Sequence, residues 1–82
     1  MVIFHPHAED RLIERGATRE EVIATVETGA EIPALSGRNG FRKDFVYRGM
    51  WNGRYYYLKQ VDVYAVKENN DWLVITILVK YF

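Results

Sequence analysis

The chain has 82 residues, 49% of them hydrophobic and 27% charged, with a formal net charge of zero and no cysteine. That is enough apolar matter for one small core, with about 60% of the unfolded surface buried on folding. The absence of cysteine excludes disulfides and thiolate metal sites. No charged segment leads into an apolar stretch at the N-terminus, and the apolar C-terminal run is too short for a membrane helix. The expectation is therefore one domain over residues 1–82, cytoplasmic, with no membrane association.

The charge is unevenly distributed. Residues 1–37 hold three basic and seven acidic side chains, for −4, and residues 38–82 hold eight basic and four acidic, for +4. An acidic helical layer behind a basic sheet would make a dipolar molecule able to attract a polyanion. The same pattern also arises by chance.

Met1–Phe4 is a short apolar lead, either a strand fragment or a strap. His5-Pro6-His7 opens a helix, with Pro at the first helical position where its missing N–H matters least. The helix runs to about Arg15 and stops at Gly16, the usual left-handed cap. Ala8, Leu12 and Ile13 are its expected buried stripe. His7, Arg11 and Arg15 recur every fourth residue and share an adjacent face. Thr18-Arg19-Glu20-Glu21 is a capping box. The second helix continues to about Thr28, where Gly29 ends it, with Val22, Ile23 and Val26 inward.

Glu31–Gly40 contains Pro33, Ser36, Gly37, Asn39 and Gly40 and reads as a loop or mobile flap. It lacks the Gly-Lys-Ser/Thr ending of a phosphate-binding loop. From Phe41 the period changes to two. Phe41–Trp51 is one strand, Asn52-Gly53 a hairpin turn, Arg54 to about Lys59 the returning strand, and Val61–Glu68 another. Asn69-Asn70-Asp71 turns the chain into the final strand. Dense β-branched sequence from Trp72 to Phe82 places that strand in the sheet interior. Strict alternation puts Leu73, Ile75, Ile77, Val79 and Tyr81 under the helices and leaves Thr76 and Lys80 on the mixed face. The expected fold is α+β: two N-terminal helices packed on one face of a four-stranded antiparallel sheet.

His7-Ala8-x-x-Arg11, then Arg15-Gly16-Ala17-Thr18-x-x-Glu21-Val22 and the Gly29 stop, resembles the opening of the family called domain of unknown function 4258. Val61-x-Val63 and Val74-Ile75-Thr76-Ile77 resemble that family's last hairpin. The likeness covers essentially the whole chain. It implies a compact domain similar to RelE-like ribonuclease toxins, within the barnase–colicin–RelE group, many of which cut RNA without a metal ion. It also implies RNA as partner, with ribosome association and a cognate antitoxin as possibilities, and no cofactor.

Metal-free RNA cleavage needs a base for the 2′-hydroxyl, an acid for the leaving oxygen and cations on the phosphate. His7 is a candidate base or acid, and Arg11 a candidate phosphate clamp. Equally, His7 can be read as fastening the helix start to the sheet. Lys59 and Thr76 complete the catalytic set, and Tyr64 and Lys80 are further polar groups on the sheet. Lys59 also reads as an edge charge against aggregation, and Thr76 as a plain strand former. His5 and His7 give only two of the ligands a metal site needs, so none is assigned. Arg42, Lys43, Arg48, Arg54 and Tyr56 are the RNA-binding candidates, because aromatics stack on unpaired bases while cations follow the backbone. The other reading of the chain is a non-catalytic protein- or RNA-binding module.

Overall fold

The computed structural model describes all 82 residues. The elements in order are β1 (Val2–Phe4), α1 (Pro6–Arg15), α2 (Arg19–Thr28), β2 (Ala30–Ile32), β3 (Asn39–Trp51), β4 (Arg54–Glu68) and β5 (Asp71–Tyr81). The architecture is α+β, with two N-terminal helices on one face of a five-stranded mixed sheet of order β1-β5-β4-β3-β2.

Local sequence explains the helices. His5 caps α1 by accepting the His7 N–H on Nδ1 at 3.2 Å, and Pro6 is the first helical residue. Gly16 closes α1 at φ +74°, and its N–H bonds to the Leu12 carbonyl. The capping box of α2 is complete: Thr18 Oγ1 accepts from the Glu21 N–H at 3.1 Å, and Glu21 Oε1 accepts from the Thr18 N–H at 2.9 Å. Ala8 and Leu12 are buried in α1, but Ile13 is 86% exposed, against expectation. It lies about 100° round the helix from Leu12, turned away from the sheet.

The sheet differs from expectation in four respects. Val2–Phe4 pairs parallel with Trp72–Val74, so the sheet is mixed rather than antiparallel throughout. Ala30–Ile32, read partly as loop, pairs with Gly40–Arg42. The stretches Arg54–Lys59 and Val61–Glu68 are one continuous strand, because no turn residue separates them and β3 pairs along almost their full length. Finally, β5 carries a bulge. Tyr64 pairs with Thr76 but Ala65 pairs with Val74, leaving Ile75 as the extra residue. One added residue reverses side-chain parity. Trp72 and Val74 therefore join Ile77, Val79 and Tyr81 on the helical side, and strict alternation fails for Leu73 and Ile75.

Both hairpin turns follow from sequence. Asn52 and Gly53 have φ of +50° and +82°, and Asn69 and Asn70 have φ of +49° and +69°, as two-residue turns between right-twisted strands require. The core lies between helices and sheet. Val22, Val61, Val63, Val74 and Ile77 are fully buried there, with Ala8 and Ala65 filling the narrower gaps.

Candidate nucleic-acid interface

The sheet's two faces hold different chemistry. On the helical face Lys59, a catalytic candidate, is only 4% exposed. Its ammonium donates to the Gly16 carbonyl at 2.9 Å and pairs with Glu21 Oε1 at 2.8 Å, and it sits 5.0 Å from the Tyr47 ring centre. Its place is therefore under the helix turn and not at an edge, contrary to its reading as an edge charge. The Tyr81 hydroxyl donates to the Arg15 carbonyl at 2.7 Å, and Arg15 Nη1 donates to the Ile77 carbonyl at 2.6 Å. Trp51 stacks on Tyr81 at 4.9 Å, with Tyr47 and Tyr56 packed beside it. Burial first, then the neighbouring Tyr47 and Glu21 charges, push the Tyr81 hydroxyl up to about 12. Together these groups fasten the Arg15-Gly16 turn to the sheet.

The helix-free face is built from the alternate residues of β3, β4 and β5. Cross-strand register places Gly40, Tyr64 and Thr76 in one row and Arg42, Asp62 and Leu78 in the next. Gly40 permits close packing here. A Cβ at that position would lie 2.8 Å from the Ile32 side chain and 3.1 Å from the Tyr64 ring. The segment between β2 and β3 turns back over this end of the sheet, with Ser36 and Gly37 at φ of +59° and +72°. Beneath it is an open pocket of about 550 Å³, lined by Pro33, Ala34, Leu35, Ser36, Arg38, Tyr64 and Thr76.

Thr76 is the one catalytic candidate in this pocket. The Arg38 guanidinium lies exposed at its rim, with no carboxylate within ion-pair distance. In the adjacent row Arg42 holds Asp62 by two parallel hydrogen bonds of 2.8 Å, and Asp62 is 5% exposed. That bond, with the Asp62 charge, raises the Arg42 pKa above its ordinary value and keeps it cationic. Gln60 Nε2 donates to Asp44 one row further on.

The remaining candidates are dispersed. Lys43 pairs with Val61 and so lies on the helical side. Arg48, at φ +48° in an irregularity of β3, lies 5.5 Å from the Tyr57 ring centre. Arg54 lies 5.8 Å from the Tyr56 ring centre, and Tyr56 packs against Tyr81. His7 and Arg11 are exposed on α1, on the helical side, and Arg11 pairs with Glu14 at 2.8 Å. His7 stacks on His5 at 5.1 Å. The His5 N–H bonds to the Val74 carbonyl, which brings this end of α1 to the row of Asn39, Ala65 and Val74 beside the pocket. Lys59, with His7 and Arg11, thus lies across the sheet from Thr76, and the four do not form one cluster.

Arg38 and Ser36 were not expected at a site, and Tyr64 was noted only as a polar strand residue. A Tyr five residues beyond Lys59 must face the other way along a regular strand, so strand parity already separates those two. No three His, Asp or Glu side chains gather as metal ligands, and no helix is long and apolar enough to cross a membrane.

The cations of the C-terminal half are mostly free of carboxylates. Arg38, Lys43, Arg48, Arg54, Lys67 and Lys80 make no ion pair, whereas Arg11 and Arg19 pair with Glu14 and Glu9. The chain matches no protein-family description, no curated protein and no solved structure.

Proposed function

We propose that this protein is a small RNA-binding domain of RelE-like organisation that cleaves RNA without a metal ion, at the pocket between the β2–β3 segment and the helix-free sheet face. The observation that carries this reading is the convergence of Arg38, Tyr64 and Thr76 on one open pocket beside Arg42, with no carboxylate in its lining. The family resemblance of the helical opening and the last hairpin supports the same reading. A phosphodiester seated there would meet one free guanidinium and three hydroxyl-bearing residues, Ser36, Tyr64 and Thr76. The ribose 2′-oxygen attacks the adjacent phosphorus as its proton passes to the Tyr64 hydroxyl oxygen, which releases its own proton to water. The bond to the 5′-oxygen breaks and that oxygen takes up a proton from water. The products are a 2′,3′-cyclic phosphate and a 5′-hydroxyl. Arg38 stabilises the extra negative charge on phosphorus, and the Thr76 hydroxyl donates to a non-bridging oxygen.

A second reading has its own observation. The pocket lining contains neither His nor a carboxylate, the commonest general bases, and Lys59 is held by Glu21 beneath the helices. A domain that binds RNA without cutting it fits those facts.

The test is incubation of purified protein with total RNA and with translating ribosomes, in excess EDTA. Tyr64→Phe, Arg38→Ala and the His7→Ala/Arg11→Ala pair are run alongside. Cyclic-phosphate ends, reduced about 100-fold or more by Tyr64→Phe and little changed by the α1 pair, support cleavage in the pocket. Loss only in the α1 pair moves the chemistry to α1. Binding that depends on Arg38, without cleavage, selects the second reading. Neither binding nor cleavage by folded protein rejects both.

A further inference from the structure

The outer edge of β5 is open. β1 pairs only with Trp72–Val74, and β5 has no other neighbour on that side, so residues 75–81 lack a strand partner there. The direction of the backbone groups follows from two bonds. The Ile77 carbonyl faces away from β4, since it takes the Arg15 guanidinium, whereas Phe82 both donates to and accepts from Leu58 of β4. Alternation then points the N–H and C=O of Val79, and the N–H of Tyr81, at the open edge. Arg15 caps the edge at Ile77 and nothing caps it beyond.

A groove of about 350 Å³ runs along this stretch, between Glu14 and Arg15 at the end of α1, Trp51 and Asn52 at the hairpin turn, and Leu78–Tyr81 itself. Natural sheets blunt their edges. Here the bulge at Ile75 comes too early to do so, and the edge is apolar, with Leu78 40% and Phe82 59% exposed.

We propose that the β5 edge is a docking site for an extended acidic peptide segment of another protein, added as a sixth strand. Backbone pairing at Val79 and Tyr81 supplies the ladder, and side chains on alternate residues of the peptide enter the groove or lie beside Leu78 and Lys80. Charge selects the occupant. Glu14 is already paired with Arg11, and Lys80 is an exposed cation without a carboxylate, so the unanswered charge along this edge is positive. A second copy of this chain suits the edge less well. An antiparallel pairing centred on Val79, which avoids the bulge, would set the two Lys80 residues on one face as diagonal neighbours, about 7–8 Å apart at the backbone, like charge beside like. This proposal is independent of the RNA reading, which concerns the other end of the open face.

The experiment is an amide-resolved NMR titration of the full chain with capped (Val-Glu)₄ peptide and, separately, capped (Val-Lys)₄ peptide. The expected result is saturable shifts at Val79, Tyr81 and the Asn52 turn with the Glu peptide only. Lys80→Glu should weaken that binding about tenfold or more and favour the Lys peptide. Val79→Pro removes an edge-facing N–H without touching the ladder to β4, and should abolish binding with the fold kept. Should Val79→Pro unfold the chain, Lys80→Glu alone carries the test. Equal binding of both peptides, or shifts elsewhere only, overturns the proposal. Edge shifts that depend on protein concentration without peptide overturn it in favour of a second copy.

Discussion

The two faces of this sheet have similar backbones and opposite uses of polar groups. Under the helices Lys59 meets Glu21 and the Gly16 carbonyl, Tyr81 meets the Arg15 carbonyl, and Arg15 meets the Ile77 carbonyl. No buried side-chain nitrogen or oxygen is left without a partner. On the open face Arg42 and Asp62 satisfy each other, but Arg38 forms no ion pair and no hydrogen bond is made by the Tyr64 or Thr76 side chain. A charged group taken out of water needs its partners inside the protein. A group at a pocket mouth can leave that role to a ligand. Lys59 and Thr76 were named for the same chemistry, and the face each occupies separates them. The first is tied to the helix turn by its partners, and the second lines an open pocket.

Changes on the helical face should therefore act on stability, and changes on the open face on RNA. The largest effect is expected at Gly16. A Cβ there would lie 2.5 Å from both the Trp51 ring and the Tyr81 hydroxyl, at φ +74°. Gly16→Ala combines that overlap with left-handed strain, and should destabilise the fold by about 3 kcal/mol or more in urea denaturation. Lys59→Met should be next, at about 3 kcal/mol, because it leaves Glu21 part-buried and unpaired. Adding Glu21→Gln should recover part of the loss. RNA binding by the folded fraction should be unchanged in both. A loss of binding or cleavage beyond the loss of folded protein would return Lys59 to the site and break the comparison.

Tyr81→Phe should cost about 1 kcal/mol, the net worth of one hydrogen bond. Burial, with the Tyr47 and Glu21 charges, pushes the Tyr81 hydroxyl up to about 12 from the ordinary 10.0. Between those limits the unfolded chain loses this proton while the folded chain keeps it, so stability falls as pH rises from about 10. Melting temperatures measured from pH 9 to 12 should drop more steeply for wild type than for Tyr81→Phe. Parallel curves would mean that Tyr81 has its ordinary acidity. The smallest stability effect belongs to Thr76→Val, within about 0.5 kcal/mol. Its effect should instead be weaker RNA binding in a filter assay. A large drop in melting temperature there would show that Thr76 is structural after all.

Much of the fold was legible residue by residue. Pro6, Gly16, the Thr18–Glu21 box and Gly29 bound two helices because caps and breakers act within one turn of the chain. Asn52-Gly53 and Asn69-Asn70 fix two hairpins because positive φ is a local demand. The candidate site was far less legible. Thr76 stood out because it interrupts an aliphatic strand, but Tyr64 and Arg38 are ordinary residues until register places them beside it. His7 and Arg11 stood out by their spacing, and that spacing says nothing about which side of the sheet the helix covers.

The sequence by itself determined the helical hairpin, the two tight turns, the absence of disulfide chemistry and the separation of acidic from basic halves. Each depends on neighbours in the chain or on composition alone. Only the tertiary structure decided that Val2–Phe4 lies parallel to β5, that one extra residue at Ile75 reverses the last strand's faces, and that Lys59 is sealed beneath the helices while Thr76 opens to a pocket. Those outcomes depend on which groups find partners outside their own stretch of chain, as Val2 with Trp72 and Lys59 with Gly16, and on which side of one sheet two short helices come to rest.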